Sequence, residues 1–362
     1  MTKEQQDKNL QQMLSDIRPA DAKIREQAQK KWNSIAKPLH SLGKLEDHIM
    51  RIAALTGSTD VVIGKKALIV MCADNGVVEE GVTQTGQDVT AIVAENFLTC
   101  NTSAAIMCKK AGVDLFPIDI GMVTDTKVPD YKIAYGTRNM AKEPAMTRAQ
   151  AEKAIMTGIL QVKEKKAAGY QILATGEMGI GNTTTSSAVA AVLLDEDPEI
   201  MTGRGAGLTN EGLKRKIDVI KTAIEKNRPD PADAVDVLAK VGGFDLAGMA
   251  GVYLGGAIYR IPVVVDGFIS AVAALTAVKM CSAARDALIV SHMSKEPGMQ
   301  KVLNALQMEA PLCADMCLGE GTGAAAAMVL YDMGLAVYRQ MGTFDDIHVE
   351  QYENYAKRQA DE

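Results

Sequence analysis

The sequence predicts an α/β protein built on a parallel sheet, and three observations point there. From residue 66 onward, short apolar runs stop at Gly, Asn, Asp or Ser and give way to stretches of helical periodicity, the alternation expected of βα units. Glycine is abundant, at 31 residues, while aromatics make up 4%, so the core is aliphatic and many backbone positions are special. Length and composition agree: 362 residues, 47% hydrophobic and 23% charged, describe a globular chain. Divided by ~150 residues per domain, that is about two domains.

Taken in order, residues 4–35 are rich in Gln, Lys, Glu and Ala, and read as one or two surface helices broken near Pro19. In residues 37–57, Leu42, Leu45, Ile49, Ile52 and Leu55 recur at helical spacing; Ser41 is the expected cap and Gly57 the expected end. Strands are predicted at 67–72, 113–119, 170–175, 261–265 and 287–291, with Asp74, Asp119 and Asp266 at one edge of the sheet. Helices are predicted at 147–167, 184–194, 209–226, 244–258, 267–280, 296–307 and near 323–341. The last of these should pack with residues 4–35. Each strand delivers polar residues at its carboxyl end, where open α/β sheets bind ligands.

Charge narrows the partners. Thirty-nine basic against 45 acidic residues leave −6, and no Lys/Arg cluster rises above that background, so nucleic acid and anionic membrane are excluded as partners. The polar start MTKEQQDKNLQQML lacks the apolar run of an export signal, which predicts a cytoplasmic protein. The apolar stretch 261–278 carries Asp266 and reads as a buried strand and helix rather than a membrane span. Six cysteines show no C-x-x-C pairing and no His in ligand spacing, so small buried thiols are expected, and no metal or cofactor.

The chemistry concentrates in three glycine-rich turns, GEMGIGNTTT (176–185), GRGAGLTNEG (203–212) and GEGTGAAAA (319–327), each placed to precede a helix. Glycine lets successive N–H groups face one anion, and a helix N-terminus adds partial positive charge, which suits a phosphorylated ligand. Glu177 and Glu320 lie inside two of the turns. Such an acid either caps backbone N–H groups or faces a ligand as a general base, and local sequence does not separate the two. No G-x-x-x-x-G-K-[ST] occurs. VVVDG has a single Asp where Mg²⁺–diphosphate enzymes offer two acids. The 319–324 turn loosely meets a dinucleotide fingerprint, but the preceding EAPLCADMCL is a poor strand, which weakens a nicotinamide-dependent oxidoreductase reading.

The strings KPLHSLGKLE, ADNGVVEEGV, GTRNMAKEPAMTRAQA, GEMGIGNTT, GRGAGL, KVGGFDLAGMAG, VVVDGFIS, SHMSKEPG and LGEGTGAA, in this order, resemble the nicotinate-nucleotide:dimethylbenzimidazole phosphoribosyltransferase (CobT) family. The resemblance runs from about residue 35 to residue 343. It implies a Rossmann-like parallel-sheet domain, expected at 61–329, and a smaller helical domain built from 1–60 plus 330–362, in a dimer. The implied reaction moves ribose 5-phosphate from nicotinate mononucleotide to an aromatic lower-ligand base, with inversion at the anomeric carbon, for cobamide assembly. It also assigns residues. Glu320 resembles the general base, and Glu177 a second acid that stabilises positive charge on the ribose. Gly179, Gly181, Asn182, Thr183, Lys216, Ser294, Gly319 and Gly321 match the nucleotide and phosphate positions.

Where the family usually reads K-P-P-G-S-L-G this chain has Leu39 and His40, and where it reads A-D-H-G this chain has Asn75. In the base pocket, Thr85, Val93 and Met178 stand where a benzimidazole-using relative has serine, glutamine and leucine. Fewer polar handles for a second ring nitrogen favour phenol-like acceptors. That links the chain to the two-subunit, phenol-using ArsAB branch of the family. It leaves two organisations open: an enzyme active as a homodimer, or a subunit that completes or regulates a homologous partner's site.

Overall fold

A strand buried on both faces must be apolar at successive positions, and Lys66–Ala73, KALIVMCA, has every residue buried. The computed structural model describes residues 9–352. Its chain runs through α1 (Leu10–Leu14), α2 (Ala22–Ser34), α3 (Lys44–Thr56), β1 (Lys66–Ala73), α4 (Asp88–Leu98), α5 (Ser103–Ala111), β2 (Val113–Gly121) and α6 (Arg148–Ala167). It continues through β3 (Ile172–Met178), α7 (Asn182–Leu194), α8 (Pro198–Met201), α9 (Asn210–Asn227), α10 (Ala234–Val241) and α11 (Phe244–Tyr259). It closes with β4 (Val263–Val265), α12 (Phe268–Met280), β5 (Leu288–Val290), α13 (Met299–Leu306) and α14 (Thr322–Gln340). Residues 1–8 and 353–362, parts of the expected helical domain, lie outside the described residues.

The sheet is parallel in all its pairings and has the order β2-β1-β3-β4-β5. Strand order therefore reverses at β1, between β2 on one side and β3 on the other. A doubly wound sheet opens its ligand crevice beyond the carboxyl ends at that switch. Alternate residues of β1 face two cores. Ala67, Ile69 and Met71 pack toward α6, α7, α11 and α12, while Leu68, Val70 and Cys72 pack toward α3 and α14. Helices α6 and α11 approach so closely that a Cβ on Gly158 would come within 2.0 Å of the Gly248 carbonyl oxygen, which fixes α11 against the sheet.

The two ends of the chain meet as expected. Trp32 stacks against Tyr338 at 4.8 Å between ring centroids, and Ile35 bridges Thr343 in antiparallel fashion. Some local expectations need correcting. Ser41 does not cap α3: the cap position is Gly43, at φ +54, and Glu46 accepts the Leu42 N–H at 2.9 Å instead. Gly57 does close that helix, in the left-handed conformation. Helices α4, α5 and α10 were not expected. Of the cysteines, Cys72 and Cys108 are buried, but Cys313 and Cys317 are exposed on the loop before α14. His40 has φ +57, a conformation glycine adopts freely, which explains why a glycine is usual there. No helix among the described residues is long and apolar enough to cross a membrane.

Candidate active site

One cavity of about 290 Å³ lies over the carboxyl ends of the strands. It gathers the turn after β3, the turn before α9, Asp266 after β4, the loop after β5 and the turn before α14. All three glycine turns therefore meet at one place, and each does precede a helix.

Glu177 is the penultimate residue of β3, so its direction is set by strand alternation rather than by a loop. Its carboxylate accepts a hydrogen bond from Asn182 Nδ2 on Oε2 and the Glu320 backbone N–H at 3.3 Å on Oε1. Burial pushes its pKa up to about 8; the Asn182 amide pulls it down, and Asp245 and Asp266 push it further up. Glu320 sits in a left-handed conformation at φ +61, and its Oε2 is buried without a hydrogen-bond partner. Burial also raises this carboxyl above the ordinary range, while the Ala104 backbone N–H at the start of α5 lowers it. Two acids thus face one cavity, and both are biased toward holding a proton.

The opposite wall is cationic. Lys216 comes from α9, is 1% exposed, and its Nζ donates to Thr183 Oγ1 at 2.8 Å and to the Gly203 carbonyl at 3.2 Å. Burial lowers its pKa to about 8. An ammonium has three hydrogens, so one remains for a ligand anion. Ser294 lines the same wall, as does Glu296, whose carboxyl burial raises and Lys216 lowers. Gly179, Gly181, Asn182, Thr183 and Gly319 also line the cavity.

Gly321 and Val93 do not join them. The Gly321 N–H is spent on Asp266 Oδ2 at 3.2 Å, and Ala324 N–H donates to Asp266 Oδ1 at 2.9 Å, so Asp266 caps α14 from another strand. Val93 is half-buried on α4 and packs against the second core, which includes Met178, without itself lining the cavity. Thr85 and Met178 do reach the cavity, beside Phe268, Ile269 and Leu318. The glycine fingerprint at 319–324 follows a loop rather than a strand, which removes the context a dinucleotide site requires.

Several lining residues escaped the sequence reading. Arg204, inside the second turn, donates to the Leu208 carbonyl at 2.8 Å; a cation between glycines was the available signal. His292 lines the cavity 4.0 Å from Asp266, its Nδ1 3.0 Å from Ser291 Oγ. Because the Ser291 hydroxyl donates to the Asp266 carbonyl, it accepts from His292, which places the proton on Nδ1. Asp74 and Asp119 stand at the same sheet edge but hold backbone: Asp74 accepts the Val123 N–H, and Asp119 accepts the Gly121 and Met122 N–H groups at 3.1 and 2.9 Å while pairing with Lys132. Among the described residues no group of three or more His, Cys, Asp or Glu side chains is arranged to hold a metal ion.

A profile of a phosphoribosyltransferase family matches residues 17–349. The nicotinate-nucleotide–dimethylbenzimidazole phosphoribosyltransferase of Acetivibrio thermocellus is 51% identical over 328 residues, covering 90% of this chain and 93% of the relative. Its namesake in Ruminiclostridium cellulolyticum is 47% identical over 345 residues, 94% of this chain and 98% of the relative. Among solved structures, CobT from Thermus thermophilus superposes with a TM-score of 0.87 at 37% identity, covering 91% of this chain and all of that one.

Proposed function

We propose a mechanism for this cavity from the premise that the chain belongs to the phosphoribosyltransferase family of the nicotinate-nucleotide–dimethylbenzimidazole enzymes. It is a pentosyltransferase that moves ribose phosphate from nicotinate mononucleotide to a lower-ligand base in cobamide biosynthesis. The observation that carries the mechanism is the facing of two glutamates, Glu177 and Glu320, by Lys216 and Thr183 across one cavity.

The acceptor's nucleophilic atom, a ring nitrogen of a benzimidazole or the hydroxyl oxygen of a phenol, forms the new bond to the anomeric carbon from the face opposite nicotinate. The electron pair of the breaking carbon–nitrogen bond returns to the pyridinium, which leaves as neutral pyridine ring. The acceptor's proton passes to Glu320, whose raised affinity for protons makes it a competent base. Glu177, as carboxylate, stabilises the positive charge that grows on the ribose. Lys216, Thr183 and Ser294 hold the phosphate, and the Glu296 carboxyl beside them raises the proton affinity of Lys216 against the larger effect of burial. With a leaving group already activated, positioning and removal of one proton supply most of the catalysis.

The acceptor is the finer question. Met178, Phe268, Ile269 and Leu318 line the cavity as apolar residues beside Thr85, and burying a second ring nitrogen left unpaired among them costs roughly 1–3 kcal/mol. We read the pocket as accepting phenol-like or other small aromatic rings alongside, or ahead of, 5,6-dimethylbenzimidazole, and the chain as half of a homodimer or of a heterodimer with a homologous subunit. The test is competition between phenol and dimethylbenzimidazole, read as product identity with the purified chain and then with any co-purifying partner. Exclusive use of dimethylbenzimidazole in both formats overturns the acceptor reading. Turnover that requires the partner favours the non-autonomous subunit.

A further inference from the structure

His292, in the loop after β5, lines the cavity and is 3% exposed, so its ring is held by its neighbours rather than by water. A glycine makes room for it. A Cβ on Gly323, in the first turn of α14, would lie 1.9 Å from His292 Nδ1 and 2.3 Å from Cε1, so any larger residue there displaces the ring. On the other side, a Cβ on Gly267, ahead of α12, would lie 3.5 Å from His292 Cε1, 3.6 Å from Nε2 and 3.7 Å from Ser294 Cβ. The imidazole therefore sits between the helix that begins after Glu320 and the wall that carries Ser294.

Its hydrogen bonds fix what it offers to a ligand. Nδ1 is 3.0 Å from Ser291 Oγ and 4.0 Å from Asp266 Oδ1, and the Ser291 hydroxyl donates to the Asp266 carbonyl at 3.0 Å, so Nδ1 carries the proton. In the neutral ring Nε2 is then an acceptor, and it is the nitrogen left for the cavity. Nicotinate mononucleotide gives such an acceptor little choice. Its phosphate and carboxylate are anions that accept, its pyridinium nitrogen has no hydrogen, and its two ribose hydroxyls donate. The incoming ring brings one further donor, whose proton passes to Glu320. Position agrees with chemistry: a group between Ser294 and the start of α14 lies between the holders of the phosphate and the acids at the anomeric carbon, and the ribose is what joins those two points.

We propose that His292 reads the sugar: its Nε2 accepts a hydrogen bond from a ribose hydroxyl of the nucleotide, which selects ribose over deoxyribose donors and fixes the ring between the phosphate wall and the two glutamates. This rests on the reading of Lys216, Thr183 and Ser294 as that wall and of Glu177 and Glu320 as the acids at the anomeric carbon.

The experiment compares kcat/KM for nicotinate release, at saturating acceptor, from nicotinate mononucleotide, from its 2′-deoxy and 3′-deoxy forms and from nicotinate riboside. The enzymes are the wild type and His292→Asn, whose amide keeps a donor toward Ser291 and leaves nothing where Nε2 stood. The wild type should fall about tenfold or more on one deoxy form. His292→Asn should fall as far on the nucleotide itself and lose nothing further on that deoxy form. A His292→Asn penalty of the same size on the nucleotide and on both deoxy forms overturns the proposal and leaves His292 a packing role. A penalty that vanishes on the riboside overturns it too, by placing Nε2 at the phosphate. Lys216→Ala checks the reading beneath: a preference for nucleotide over riboside that survives it overturns the phosphate wall, while the hydroxyl comparison still decides His292. Should His292→Asn fail to fold, Ser291→Ala removes the acceptor that holds the proton on Nδ1 and must weaken the same hydroxyl preference; an unchanged preference there overturns the proposal.

Discussion

The turns at 176–181 and 319–323 each carry one glutamate among glycines ahead of a helix, yet they hold it by opposite means. Glu177 belongs to a strand, is buried, and has both carboxylate oxygens occupied, one by Asn182 and one by the Glu320 backbone. Glu320 stands in a left-handed backbone conformation with one carboxylate oxygen unpartnered, and its turn is anchored by Asp266 as well as by Thr322, which bonds the Gly319 carbonyl. Similar sequence patterns have produced one acid fixed at both oxygens and one left free at Oε2. A residue that takes a proton in each cycle gains from the freer arrangement, and one that stabilises charge gains from the fixed one.

The largest effect should come from the free acid. Glu320→Gln should keep nucleotide affinity and lower turnover about 10²- to 10⁴-fold, measured as single-turnover transfer at saturating acceptor. Unchanged turnover would leave Glu320 with a capping role and remove the contrast. The fixed acid should show itself in stability. Glu177 holds its proton more tightly folded than unfolded, so from about pH 4.5 to about pH 8 the folded state binds more protons and stability falls as pH rises. The slope is at most roughly 1.4 kcal/mol per pH unit for one proton. Denaturant unfolding across that window should show a shallower fall in Glu177→Gln than in the wild type.

The contact between the turns offers a third test. Gly319 is at φ +89, and a Cβ there would lie 2.3 Å from Glu177 Oε1. Gly319→Ala should therefore destabilise by roughly 1–3 kcal/mol and slow transfer together, because strain and collision fall where the two turns meet. Full activity with lowered stability would mean that the turns work independently. The smallest effect concerns a left-handed residue with no catalytic role: His40→Gly should raise stability by about 1 kcal/mol in thermal unfolding with activity unchanged. A comparable gain from Glu320→Gly, accompanied by loss of turnover, would show that the same backbone strain is retained at Glu320 for chemistry.

The strands were legible because continuous apolar runs ending in polar residues have few other uses, and the glutamates because glycine turns mark them. Helices α4 and α5 were not, since Ile92, Leu98 and Ile106 are exposed and blur the amphipathic pattern. The cap of α14 was invisible for another reason: Asp266 reaches it from a strand end 55 residues earlier than Gly321, a contact that exists once the sheet has formed. Asp245 resembled an ordinary acid at a helix start, and its proximity to Asn75 depends on three separate elements converging. Val93 stands one layer behind the lining because it lies on α4, a helix absent from the expectation.

The single tryptophan gives the arrangement an optical consequence. Trp32 is buried against Tyr338, near the far end of the 19-residue helix whose other end begins just after Glu320. That helix is about 28 Å long, so a tilt of about 2° moves one end by about 1 Å relative to the other. Indole emission, sensitive to its ring neighbour and to the Lys37 ammonium 5.1 Å away, should therefore report the orientation of the rod that begins at the Glu320 turn. Nucleotide titration followed by intrinsic fluorescence reads that coupling without any label.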